Sequence, residues 1–303
     1  MTAVPPSPAP ICHLLAPAYG HIAEEAHSAM AAQVQPIAQA MGWQLHWHES
    51  SKGRCLPGHW CDREQRLLEL RQAFLGDVLW PVRGGYGCTH LLPALQASRR
   101  RAAPLLIGFS DITFFHCLWL RRGWGVSYYA LMPAVPSGQR GRESLLRLLS
   151  HGRSQWGQEE VNTVTIGRDG MAQGPCFAAC LSILAHCCGT AAMPSLDNHI
   201  LFLEDIDEPP YAIDRNLWQL WHAGHLRNLH GIVWGRFPGC QHHHGPSLHD
   251  IIMEWVERLH IPSMIGLPFG HDPDPIAIPC GGHAQLSCKA SHWRLQLSSQ
   301  AIE

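Results

Sequence analysis

The chain has 303 residues, of which 46% are apolar and 15% charged, and its formal net charge is −2. That length and apolar content can bury the core of one large domain or of two. The near-neutral charge balance excludes a nucleic-acid partner held by massed phosphate neutralisation. No apolar run reaches the roughly 18 residues of a membrane span. The opening stretch MTAVPPSPAPICHLLAPAYG lacks the basic segment of a secretion signal. The expected compartment is therefore the cytoplasm, with no membrane partner.

In chain order, ICHLLAP reads as a buried strand, and residues from about 22 to 41 read as a helix that Pro36 kinks or shortens. WQLHWHE is strand-like. DREQRLLELRQAF is an amphipathic helix with Asp62 as its N-cap. DVLWPVRG is a strand that stops at Gly84 and Gly85. APLLIGF is a further apolar strand, followed by the helix DITFFHCLWLRR and the strand GVSYYALMP. This alternation predicts βαβ units and a doubly wound, flavodoxin- or Rossmann-like parallel sheet. In such sheets ligands sit beyond the carboxyl ends of the strands, where RGGYG and GFSD both fall.

Residues 136–158 break the rhythm with Pro, Gly, Ser and Arg, so a junction is expected there. The expected division is an N-terminal α/β domain over 1–145, a linker over 146–158 and a smaller C-terminal mixed α/β domain over 159–303. The second half offers the strands EVNTVTIG, HILFLED and HGIVWGRF. Its helices are CLSILAHCC, IDRNLWQLWHAG and LHDIIMEWVERL, and its end, IAIPCGGHAQLSCKASHWRLQL, reads as antiparallel strands.

Twelve cysteines without a CxxC pair, several of them in an apolar helical context, read as buried reduced thiols. His242, His243 and His244 form a run in a Gly/Pro-flanked loop. Such a run has the donors for adventitious metal binding but not the spacing of a designed site, so no metal is expected.

Ser110, in IGFSDIT, stands between an apolar strand and a helix. A serine before Asp111 at a helix start is what an N-cap looks like. The same turn would also hold a hydroxyl out beside the backbone N–H groups of the helix start, as a nucleophile requires. The G-x-S-x-G elbow is not matched, because position 112 is Ile. RGGYG is either a tight turn or a place where backbone approaches a ligand. A non-catalytic protein binding a nucleotide or small anion would also use such a loop, but GxGxxG and Walker patterns are absent. LFLEDIDEPPYAIDR carries five acids between 204 and 214, readable as a solvated loop or as an orienting carboxylate at a strand end. His271 follows Gly270 in the proline-rich LPFGHDPDP.

VRGGYGCTHLLPAL, IGFSDIT, ILFLEDIDEPPYAIDRNLWQL and LPFGHDPDPIAIPCG, in this order, resemble the serine LD-carboxypeptidases, the family of murein tetrapeptide carboxypeptidases and microcin-immunity peptidases. The resemblance runs from HWCDREQR, near residue 59, to about residue 286. LAPAYG also looks like the family's first strand and loop, with Ala18 where a serine often stands. FAACLSIL departs from a GGN-like stretch of the family, which implies a pocket whose fine shape differs while the triad positions remain.

The resemblance implies a triad of Ser110 as nucleophile, Glu204 as acid and His271 as base. The backbone N–H groups of Asp111 and Gly85, favoured over Gly84, would form the oxyanion hole. Arg83 and Arg215 are candidates for a substrate carboxylate, or else pair with nearby acids, and Gly84 and Tyr86 are further substrate contacts. The implied reaction is release of the terminal D-alanine of murein tetrapeptide (L-Ala-D-Glu-meso-diaminopimelate-D-Ala) in peptidoglycan recycling. The alternative is a self-immunity peptidase acting on a peptidyl- or aminoacyl-nucleotide antibiotic. The partner is a small peptide, no cofactor is needed, and the resemblance implies a homodimer.

Overall fold

The computed structural model describes residues 8–18, 26–52, 63–241, 245–289 and 292–300. The expectations placed on Asp62, on residues 22–25 and on His242 to His244 lie outside them.

The first half alternates as its hydrophobic pattern requires. Its strands are β1 (Ile11–Leu15), β2 (Gln44–Trp47), β3 (Val78–Pro81), β4 (Leu105–Gly108) and β5 (Ser127–Tyr129). Between them run α1 (Ala26–Met41), α2 (Arg63–Ala73), α3 (Leu92–Gln96) and α4 (Thr113–Arg122). Pro36 is accommodated inside α1. The five strands are parallel, in the order β2-β1-β3-β4-β5, which is the doubly wound arrangement with its topological switch between β1 and β3. β3 is buried at every residue, and α4 is buried from Thr113 through Trp119, because a sheet covered on both faces needs apolar runs rather than alternation.

The stretch expected as a linker, 146–158, holds the end of α5 (Gln139–His151) and the strand β6 (Arg153–Gly157). Beyond it come β7 (Thr165–Arg168), β8 (Gly170–Cys180), α6 (Leu181–His186), β9 (Ile200–Glu204), α7 (Pro210–His222) and β10 (Gly231–Gly235). The chain continues through α8 (Leu248–Leu259), β11 (Ser263–Leu267), β12 (Ile278–Cys280), β13 (His283–Lys289) and β14 (His292–Ser298). A second, mixed sheet has the order β6-β14-β13-β8-β9-β10-β11-β7. Its centre, β8 to β11, is parallel, and its flanks are antiparallel. β8 joins both parts: Gly170–Pro175 pairs with β13, and Cys176–Cys180 pairs with β9. Its glycines, alanines and proline give no strand pattern, so the sequence reading missed it.

Of the three terminal strands, β13 and β14 join the second sheet as an antiparallel pair. β12 instead pairs antiparallel with β5 and closes the edge of the first sheet. No helix among the described residues is long and apolar enough to cross a membrane. The ten described cysteines are free thiols, and nine of them are buried.

On one face of β1 and β2, His13 stands in register opposite His46, and His48 follows two residues on. Burial, followed by the neighbouring His46, holds His13 below the ordinary imidazole value against the opposing pull of Asp77. Burial, then His46, His13 and Lys52, pushes His48 down to about 4.

Candidate active site

The carboxyl ends of β4, β5 and β9 are linked around Ser110. β4 ends at Gly108, whose φ of 155° only glycine adopts readily, and the chain then turns sharply. Ser110 has φ 65°, left-handed for a residue with a Cβ, a strain of about 1–3 kcal/mol that must be held by its surroundings. No N-cap hydrogen bond uses its side chain at this turn. The capping reading is therefore not what the geometry supports.

Several contacts hold the turn. Buried His116 of α4 bonds the Gly108 carbonyl through Nε2 at 2.9 Å, while its Nδ1 lies 2.7 Å from Ser127 Oγ. Burial keeps His116 neutral by lowering it to about 4, so Nε2–H donates to the carbonyl and Nδ1 accepts from the serine. The Asp111 carboxylate accepts the Cys88 backbone N–H at 2.8 Å, which ties the segment after the RGGYG loop to the Ser110 turn. Burial raises Asp111 to about 6, against the pull of that bond and of Arg66. Buried Arg66 in turn donates to the Pro17 carbonyl at 2.8 Å.

Gly84 lies directly against the serine. A Cβ at Gly84 would come 2.7 Å from Ser110 Cβ and 2.9 Å from Oγ, closer than real Cβ atoms pack, and a tight 3.3 Å from Asp111 N. Gly85, exposed with φ 113°, continues the loop. Tyr86 is exposed, its hydroxyl 3.3 Å from His90 Nε2. Arg83 is half-buried after β3, and Arg215 is exposed on α7 with its guanidinium over the Tyr211 ring.

Glu204 is the last residue of β9 and is fully buried. Its Oε2 accepts from His271 Nδ1 at 2.8 Å and from the His271 backbone N–H at 3.1 Å. A carboxylate only accepts, so the ring proton sits on Nδ1 and Nε2 keeps its lone pair. Its Oε1 accepts from the Tyr129 hydroxyl at 2.5 Å, and that hydroxyl accepts the Ser110 backbone N–H at 3.2 Å. Burial and the Glu204 charge raise the fully buried Tyr129 well above its ordinary value, so it remains a donor. Burial pulls His271 down, but the charge and hydrogen bond of Glu204, with Asp205 and Asp207 behind, outweigh it and leave His271 raised. The His271 ring packs edge-on against Phe109, 4.9 Å between centroids. Among the described residues no hydrogen bond joins Ser110 Oγ to His271; such contacts commonly tighten only around substrate.

The acidic run is not a solvated loop at its start, because Asp205 is as buried as Glu204. Asp205 accepts from the Cys180 thiol at 3.2 Å and from the Ser182 backbone N–H at 2.7 Å, and burial raises it. The departure FAACLSIL thus supplies the groups that hold the carboxylate next to Glu204. The loop carrying His271 is also anchored. Asp272 pairs with Arg236 at 2.5 Å, and Asp274 accepts the Gly141 backbone N–H at 2.6 Å at the start of α5. Tyr129, His116, Arg236 and the anchoring roles of Asp272 and Asp274 were not legible in the sequence, since each acts across elements distant in the chain.

A doubly wound sheet and a curled mixed sheet, meeting at a strained serine turn and a buried carboxylate–imidazole pair, define a class of two-sheet α/β proteins of the LD-carboxypeptidase type. The chain belongs to the LD-carboxypeptidase family: residues 12–130 match its N-terminal domain and residues 173–286 its C-terminal domain. It is 31% identical over 294 residues to the murein tetrapeptide carboxypeptidase of Pseudomonas aeruginosa, covering 92% of this chain and 94% of that one. The crystal structure of muramoyltetrapeptide carboxypeptidase from Oxalobacter formigenes superposes with a TM-score of 0.80 at 25% identity, over 95% of this chain and 99% of that one. An MccF-like protein from Bacillus anthracis shares the fold, with a TM-score of 0.81 at 18% identity over 96% and 97% of the two chains. The family match begins at residue 12, so it takes in LAPAYG as well as the stretch from HWCDREQR onward.

Proposed function

We propose that this protein is a serine LD-carboxypeptidase that releases the terminal D-alanine of murein tetrapeptide, with Ser110, Glu204 and His271 as its triad. In this reading the N-terminal domain, 1–145, carries the nucleophile, and the C-terminal domain, 159–303, carries the acid and the base. One observation carries it: the left-handed Ser110 turn is tied through Tyr129 to the same buried carboxylate that orients His271.

His271 Nε2 takes the proton of Ser110 as Oγ attacks the carbonyl of the penultimate residue. Glu204 holds the imidazole tautomer and stabilises the imidazolium. The Asp111 and Gly85 N–H groups receive the oxyanion, each such donor contributing about 2.7–4 kcal/mol to the transition state. The C–N bond then breaks, His271 returns the proton to the amine of D-alanine, and water removes the acyl group by the same route. The closeness of Gly84 to Oγ supports this use of the RGGYG loop, since only a residue without a side chain lets the loop backbone come so near the serine.

Mass spectrometry of purified protein with L-Ala-γ-D-Glu-meso-diaminopimelate-D-Ala tests the reading. Loss of D-alanine with wild type and none with folded Ser110→Ala is the expected result. An intact tetrapeptide after prolonged incubation with folded wild type would overturn the substrate assignment, and full activity of Ser110→Ala would overturn the triad.

A further inference from the structure

Outside this site, the described residues hold one other cluster of potential ligands, on β1 and β2. His13, His46 and His48 each offer a ring nitrogen, and the three atoms lie within 4.8 Å of one another. His13 Nδ1 and His48 Nε2 are 2.9 Å apart. Ligands about 2.0–2.1 Å from a tetrahedral Zn²⁺ lie about 3.3–3.4 Å from each other, so the three nitrogens stand close to the spacing that an ion requires.

The backbone that carries the rings is held by the fold. His13 and His46 are in-register partners on parallel strands, and His48 follows on the same face. The His48 N–H donates to the Leu14 carbonyl at 2.9 Å, and its own carbonyl accepts from Ser51 Oγ at 2.6 Å. A glycine, Gly76, packs against the edge of the His13 ring, where any Cβ would overlap Cδ2 and Nε2. The three residues grade from buried His48 through half-buried His13 to exposed His46, so the cluster reaches the surface at His46. An imidazole as buried as that of His48 needs a polar partner, and here its partner is a second imidazole.

We propose that His13, His46 and His48 bind one late first-row divalent cation of the Zn²⁺ kind, with water completing the coordination. Three neutral imidazoles suit Zn²⁺, Co²⁺, Ni²⁺ or Cu²⁺ and not Mg²⁺ or Ca²⁺. The proton now shared between His13 and His48 moves to the other nitrogen of its ring as the ion enters. The ion would clamp edge strand β2 to β1, and because it binds only the folded arrangement it would raise stability. None of its ligands belongs to the proposed triad.

The test uses tag-free, chelator-stripped protein in which His242, His243 and His244 are replaced by Gln, so that this run contributes nothing. Calorimetric titration with ZnCl₂ is expected to give one site per chain, and Zn²⁺ but not Mg²⁺ is expected to raise Tm. Exposed His46→Gln in the same background should keep the metal-free Tm, weaken binding by at least about tenfold and abolish the Zn²⁺-dependent rise. Absence of a one-to-one site, or affinity undiminished in His46→Gln, would overturn the proposal.

Discussion

The Tyr129 hydroxyl lies 2.5 Å from Glu204 Oε1 and joins the last residue of β5 in one sheet to the last residue of β9 in the other. The same oxygen accepts the Ser110 N–H, so one phenol ties the Ser110 turn and the Glu204 carboxylate together.

Tyr129→Phe keeps the ring and removes this bridge. A hydrogen bond to a charged group contributes about 1.5–3 kcal/mol, so kcat/KM should fall about tenfold to a hundredfold. Steady-state kinetics with the tetrapeptide check this, and an unchanged kcat/KM would remove Tyr129 from the positioning of the site.

Ser110→Gly should be inactive yet more stable than wild type by roughly 1 kcal/mol, because glycine adopts φ 65° without a Cβ penalty. Ser110→Ala should lose activity without that gain, since alanine keeps the strain. Denaturant unfolding of the two variants side by side separates hydroxyl chemistry from backbone strain.

Activity should rise with pH as His271 loses its proton, and the midpoint should lie above the ordinary 6.5, in the direction of its shift. Glu204→Gln removes the charge that opposes desolvation, so any residual activity should show its acid limb moved downward. The linkage runs the other way for stability. A raised imidazole stabilises the fold fully below 6.5, and that contribution is lost as pH rises through the folded value. The pH profile of kcat/KM, which reports the free enzyme, checks the first statement, and Tm against pH checks the second.

Gly84→Ala should lower kcat by a hundredfold or so, because the new Cβ would stand 2.9 Å from Ser110 Oγ and displace the nucleophile; misplacement by about an ångström has that effect. A control at Gly123, where a Cβ meets nothing within 4 Å, should leave kcat unchanged. Its φ of 61° should nonetheless cost Gly123→Ala about 1–2 kcal/mol of stability.

Much of the first sheet could be read ahead of the structure. The fully buried run of β3 and the strand–turn–helix at Ser110 are local patterns, and local pattern is what a single chain exposes. β8 could not be read in the same way. Gly170, Gly174 and Pro175 are poor strand residues, and the strand exists because β13 and β9 offer it partners along successive segments. Nor could the place of β12 be read, because IAIPC fits a buried strand in either sheet.

What the chain itself made legible is a set of blocks: a serine at a strand end, a carboxylate closing FLE and a histidine in a glycine–proline loop, each open to a structural reading alone and joined only by their resemblance to the LD-carboxypeptidases. Tertiary structure alone decided how they are held. It brought Tyr129 to Glu204 and Asp111 to Cys88, and it anchored the His271 loop through Arg236 on Asp272 and the start of α5 on Asp274. The histidines make the same point. The contiguous run at 242–244 drew attention as a sequence, whereas His13 and His46, 33 positions apart, meet only because parallel strands place residues distant in the chain side by side on one face.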